Sequence, residues 1–136
     1  MAQVRDHEAM LALLESRARR PFRWGRHDCV RFAAAAVRVQ TGRRVLHGLT
    51  WSSRRAAEAL LAAEGGLEAA VSARLRPIPP ALAARGDIAG VPDETFGIRL
   101  MVVEGALLVG PGPDGLRRVP RSAMTLAWSA EGQADE

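Results

Sequence analysis

The sequence predicts an α+β protein in which helices come first and an antiparallel sheet follows. Between residues 6 and 74, apolar residues recur at helical spacing. From Gly86 onward, short apolar runs alternate with turns rich in glycine and proline, as is typical of antiparallel strands. The breaker Pro77–Pro80 separates the two halves. No repeat or linker divides the chain, so we expect one domain over residues 1–129 and a frayed tail over residues 130–136.

Four helices are expected in the first half, each with a start or stop signal. Asp6 and Asp28 are residue types that cap helix N-termini, while Gly42 and the Gly65-Gly66 pair are typical helix stops. The predicted helices are Asp6–Arg19, Cys29–Gln40, Ser53–Glu64 and Leu67–Arg74. Their apolar faces need a partner, which the second half supplies as a sheet.

About five strands are expected in the second half. They are Asp87–Val91, Gly97–Val103, Ala106–Val109, Leu116–Val119 and Leu126–Trp128. Short turns such as Glu104-Gly105 favour hairpins between consecutive strands, so the N-terminal helices should pack on a C-terminal antiparallel sheet.

Composition excludes several classes of protein. Hydrophobic residues make up 48%, which is too many for a disordered chain. No apolar run has bilayer length, and the start of the chain is too charged for a secretory signal. One cysteine cannot form a disulfide within the chain, and its spacing to the three histidines matches no zinc site. We therefore expect no metal, no cofactor and no membrane span.

The charge does not predict a nucleic-acid partner. All 19 basic residues are Arg, which explains a pI near 11.1 at a net charge of only +4. Arginines are spread along the chain, and the three Trp and three Phe are too few for a stacking surface. Solvated surface is the better interpretation of these residues, and we expect no nucleic-acid binding.

The single cysteine, Cys29, follows a Trp24-Gly25 pair and the predicted cap Asp28. A thiol in the first turn of a helix meets free N–H groups and the positive end of the helix dipole, which favour a thiolate nucleophile. Cys29 also falls on the apolar face of its helix, where a free cysteine is a common core residue. Likewise, Trp24 could be a substrate platform or a packed aromatic, and Asp28 a catalytic carboxylate or a cap.

A resemblance favours the first alternative for Cys29. The segment Trp24–Cys29, the apolar helix after it and the strand start Arg85–Ile88 resemble the NlpC-type branch of the papain-like cysteine peptidases. The resemblance implies a papain-like fold in which Cys29 is the nucleophile at the start of a helix that packs on the sheet. The substrate it implies is a peptide of peptidoglycan.

The order of motifs over about residues 5–129 more closely resembles a family of phage and prophage proteins of unknown function (domain of unknown function 6950). The shared motifs are Pro21–Cys29, Gly65–Leu67, Arg85–Asp87, Gly112–Leu116 and Ala127-Trp128. This resemblance implies a role in a phage tail or a gene transfer agent, with other tail proteins as partners. The chain would reside in the bacterial cytoplasm during assembly and could then enter a virion.

One position departs from the NlpC-type pattern. The base of those enzymes is a His in a His-x-Gly-Ile motif, where this chain has Thr95 before Gly97-Ile98. A threonine cannot accept a proton from a thiol near neutral pH. His27 is the nearest histidine in sequence and only a weak candidate base. Two hypotheses follow: a tail-module protein with a catalytically incomplete domain, or an active cysteine peptidase or amidase that cleaves peptidoglycan.

Overall fold

The structure, a computed structural model, describes residues 5–131 and has the predicted α+β architecture. Its helices are α1 (His7–Arg17), α2 (Cys29–Thr41), α3 (Arg54–Glu64) and α4 (Leu67–Ser72). Each lies within two residues of its predicted bounds, because the capping residues act as expected. Asp6, Asp28 and Ser53 each accept a backbone N–H in the first turn of a helix, and Gly42 ends α2 at φ +75°.

The described residues form an open antiparallel sheet of six strands, one more than predicted. The strands are β1 (Pro77–Ile78), β2 (Ile88–Asp93), β3 (Gly97–Val103), β4 (Leu107–Gly112), β5 (Gly115–Pro120) and β6 (Leu126–Trp128). Their order across the sheet is β1-β6-β2-β3-β4-β5. The additional strand, β1, falls within the predicted breaker. It lies at the sheet edge, where a proline need not donate to a neighbouring strand.

The helices cover one face of the sheet, and α2 lies against β3. Phe32, Ala36 and Val37 of α2 join Leu100 and Val102 of β3 in one core with no solvent exposure above 1%. The other face carries a smaller apolar cluster, which two short 3-10 turns at residues 80–82 and 121–123 cover. Residues 5–131 contain no helix that is long and apolar enough to cross a membrane.

Asp87, at the start of β2, ties both ends of the described chain to the sheet. Its carboxylate accepts a hydrogen bond of 2.7 Å from the Arg5 guanidinium, one of 2.7 Å from the Ala84 N–H and one of 3.0 Å from the Ala130 N–H. Ala130 is completely buried. The ordered fold therefore extends past residue 129, so the predicted start of the frayed tail is too early. Residues 132–136 of that predicted tail lie outside the described part of the chain.

A gap opens between β3 and β4. The two strands pair only at Val102↔Val109 and Val103↔Leu108. Continuing this register by two residues brings Pro111 opposite Leu100, and proline has no N–H to donate to the β3 carbonyl. The ladder therefore stops, which leaves a gap in the pairing of β3 with β4 beside Pro111.

Candidate functional site

The unpaired parts of β3 and β4 help to line a cleft of about 420 Å³. Its walls are mostly apolar and include Trp24, Phe96, Ile98 and Pro111, and Cys29 also lines it. The volume lies in the range that small-molecule and peptide pockets occupy. Three of the residues singled out in the sequence therefore share one cavity: Trp24, Cys29 and Thr95.

Aromatic rings build one wall of the cleft. Trp24 contacts Phe22 edge-to-face at a centroid distance of 4.9 Å and Phe96 at 5.8 Å. The Phe22 N–H donates a 2.8 Å hydrogen bond to the carbonyl of Gly112, which fixes the loop before α2 to the end of β4. Trp24 is partly exposed, so it both packs against other rings and presents a surface to the cleft.

Asp28 holds the loop that carries Trp24. One carboxylate oxygen accepts the Arg31 N–H at 2.9 Å and so caps α2. The other oxygen accepts the Gly25 N–H and the Trp51 indole N–H, both at 2.8 Å. Gly25 has φ +78°, and a Cβ there would collide with the Trp51 carbonyl, so only glycine fits the turn. Asp28 is buried and does not line the cleft, so its contacts are those of a scaffold residue.

The surroundings of Cys29 disfavour ionisation of its thiol to the thiolate. Burial raises its pKa to about 12, and the negative charges of Asp28 and Asp93 act in the same direction. A backbone hydrogen bond from Leu100, whose N–H lies on the side of β3 that β4 leaves unpaired, opposes this effect only partly. The favourable helix start that the sequence indicated is therefore outweighed by desolvation.

None of the three histidines lines the cleft that contains the thiol. Among residues 5–131 no imidazole lines the cleft, and Thr95 lines it where the NlpC-type pattern has histidine. The His27 ring is buried, lies 3.3 Å from the Pro21 carbonyl through Nδ1 and stacks edge-to-face on Phe32. Desolvation lowers the pKa of His27, and its Nε2 has no hydrogen-bond partner. His7 and His47 are exposed elsewhere on the surface.

Two arginines and an aspartate complete the cleft, and sequence reasoning did not assign any of them to it. Arg99 of β3, Arg117 of β5 and Asp93 at the end of β2 all line it. Burial and the neighbouring Arg117 charge lower the pKa of Arg99. Asp93 accepts the Thr95 N–H at 3.3 Å and orients the turn between β2 and β3.

A family model described as a domain of unknown function (DUF6950) matches residues 2–130. The chain belongs to this family. No protein of curated function matches the DUF6950 chain.

The chemistry of the DUF6950 cleft follows from these groups. It offers a thiol with a raised pKa, an aromatic wall, two guanidinium groups and one carboxylate, without an imidazole to accept the thiol proton. Within residues 5–131 no cluster of three or more His, Cys, Asp or Glu side chains could hold a metal ion. These groups offer a ligand apolar, ionic and hydrogen-bonding contacts.

Proposed function

We propose that this chain is a tail-module protein of a phage or gene transfer agent whose papain-like domain binds a ligand without hydrolysing it. The motif order that resembles phage and prophage proteins supports the tail role. A helix that begins at Cys29 and packs on an antiparallel sheet supports the NlpC-type assignment. Its partners would be other tail proteins, with peptidoglycan as a second candidate ligand.

The observation that carries the proposal is the composition of the cleft around Cys29. A cysteine hydrolase needs a base within hydrogen-bond reach of the thiol and a further group that orients this base. Thr95 lines the cleft in place of that base, and the buried ring of His27 contacts Pro21 and Phe32 instead. Because the thiol pKa is about 12, almost no thiolate exists near neutral pH.

A hydrolysis assay tests the absence of catalysis. Purified protein and its Cys29→Ala variant are incubated with peptidoglycan fragments, and the products are separated by mass. We expect both proteins to leave the fragments intact. Cleavage by the unaltered protein that Cys29→Ala abolishes would overturn the proposal and establish the alternative, a cysteine peptidase or amidase.

A second experiment tests the tail role. Particles are purified from lysates of bacteria that express the chain with its neighbouring genes, and their protein content is identified by mass spectrometry. We expect the chain either in the finished particles or in stable complexes with tail proteins in the cytoplasm. Its absence from both would remove the tail assignment.

A further inference from the structure

The cleft contains a pair of like charges that no described residue neutralises by contact. Arg99 and Arg117 both line it and lie close enough that the charge of Arg117 lowers the pKa of Arg99. Neither guanidinium forms an ion pair with a carboxylate of residues 5–131. Asp93 is near enough to act on Arg99 electrostatically but does not form an ion pair with it.

One buried nitrogen of the two arginines, Nε of Arg99, has no hydrogen-bond partner among the described residues. The Nε–H of Arg99 is shielded from solvent and makes no hydrogen bond, whereas the great majority of buried polar atoms in proteins have one. Leaving such a donor unpaired is unfavourable, and a charged donor more so. Arg117 is exposed, so a ligand can approach the pair from solvent.

The sheet register explains why the two arginines meet. Arg117 of β5 pairs with Gly110 of β4, and the β3–β4 register, continued by one residue, places Gly110 opposite Met101 of β3. The side chains of Arg117 and Met101 therefore share one face of the sheet. Arg99 lies two residues from Met101 on β3 and points to the same face. The Arg117 side chain lies over Gly112, where a Cβ would be only 3.0 Å from Arg117 Cδ, and the continued β3–β4 register places Gly112 opposite Arg99. Each guanidinium carries several N–H donors, so two of them on one face can both donate to the oxygens of one carboxylate.

We propose that the cleft binds a short peptide through its free carboxylate, which Arg99 and Arg117 hold while the aromatic wall of Trp24 and Phe96 contacts an adjacent apolar side chain. This inference specifies the ligand of the non-catalytic cleft and so rests on the function proposed above. Two sources supply this chemistry: the C-terminus of a partner protein and the carboxylate end of a peptidoglycan stem peptide.

Calorimetric titration with matched probes tests the inference. The probes are two pairs of peptides, each pair consisting of an acid and its C-terminal carboxamide. The first pair is acetyl-Ala-Ala-Phe, and the second is a stem peptide that ends in D-Ala. We expect at least one acid to bind about 10-fold or more tighter than its amide, because the amide removes the charge that the arginines contact. Preference for the first acid indicates a protein terminus, and preference for the second indicates cell wall. Equal affinity of acid and amide in both pairs would overturn the inference.

Variants locate the effect in the cleft. Arg117→Gln keeps the strand geometry at an exposed position and should weaken the preferred acid about 10-fold while leaving the amide unchanged. Arg38→Gln removes the same charge from an exposed position on α2 outside the cleft and should change affinity less than about 2-fold. Equal losses in the two variants would indicate long-range attraction only and would overturn the inference.

The outcome is separable from that of the proposed function. The same titrations are made with Cys29→Ala, which cannot cleave through the thiol. If the unaltered protein cleaves a probe and Cys29→Ala does not, the non-catalytic proposal fails, yet the acid-over-amide preference is still measured on the variant. If neither protein cleaves and neither prefers an acid, the carboxylate inference alone fails.

Discussion

Folding should slow the reaction of Cys29 with a small neutral disulfide by about 50- to 120-fold at pH 7.5. The perturbation is unfolding in urea, which moves the same single thiol from the cleft into solvent. The thiol pKa is about 12 in the folded chain, compared with about 8.5 for an ordinary cysteine. Only the thiolate attacks a disulfide, so the rate follows the thiolate fraction.

The magnitude follows from these two values. At pH 7.5 the thiolate fraction is about 0.1 in the unfolded chain and about 0.00003 in the folded chain, a ratio of about 3,000. A thiolate of higher pKa is intrinsically more nucleophilic, with a Brønsted coefficient of about 0.4 to 0.5, so the folded-state thiolate is about 25 to 55 times more reactive. Dividing the ratio of thiolate fractions by this factor gives the expected slowing.

The assay is the mass increase of the protein with time in excess hydroxyethyl disulfide, followed from pH 7 to 10. In the folded chain the logarithm of the rate should rise steadily across this range, whereas in urea it should level off above about pH 8.5. If the fold only restricted access of the disulfide to the thiol, the folded-state rate would be lower at every pH, but the pH at which it levels off would be unchanged. A folded-state plateau at or below pH 8.5 would show an activated thiol and refute the reasoning.

Three further predictions concern the loop, the histidine and the missing base. Trp51→Phe should lower the free energy of unfolding in urea by about 1–3 kcal/mol, because the buried Asp28 carboxylate loses an N–H donor; no change would show that water replaces this donor. Because the pKa of His27 is lowered in the folded state, the unfolded state binds more protons, and stability should fall as pH drops below about 6.5. His27→Gln should flatten that dependence in urea titrations at several pH values, and an unchanged slope would contradict its assignment. Thr95→His should speed the disulfide reaction of Cys29 about 10-fold or more at pH 7.5, because a neutral imidazole can accept the thiol proton and the resulting cation favours the thiolate; an unchanged rate would show that position 95 does not act on the sulfur.

Local chemistry made the helices predictable. Each predicted N-cap has a short polar side chain, and Gly42 has the positive φ that a helix stop requires, so neither depends on distant parts of the chain. The strand β1 was missed because Pro77 and the prolines that follow it at positions 79 and 80 argue against a strand. Pro77 is tolerated because β1 has a single neighbour in the sheet, β6, and this position is set by the tertiary fold.

The site was predictable in part for the same reason. Trp24 and Cys29 are close in sequence, and the family pattern supplied Thr95, so their meeting in one cleft needed little further information. Arg99 and Arg117 come together only through the pairing of β4 with β5 and the gap beside Pro111. The predicted strand ended at Val109, whereas β4 runs to Gly112, so the prediction did not place Pro111 in the sheet, where it interrupts pairing with β3.

The contact of Arg5 and Glu131, 3.1 Å apart beside Asp87, brings the beginning and end of the described chain to one corner of the molecule. A linker of a few residues could join these positions, and new termini could be opened at the exposed Pro113-Asp114 turn without cutting a helix or strand. The same proximity means that the domain could be inserted whole into a surface loop of a larger protein. Its fold would then enter and leave the host at a single place.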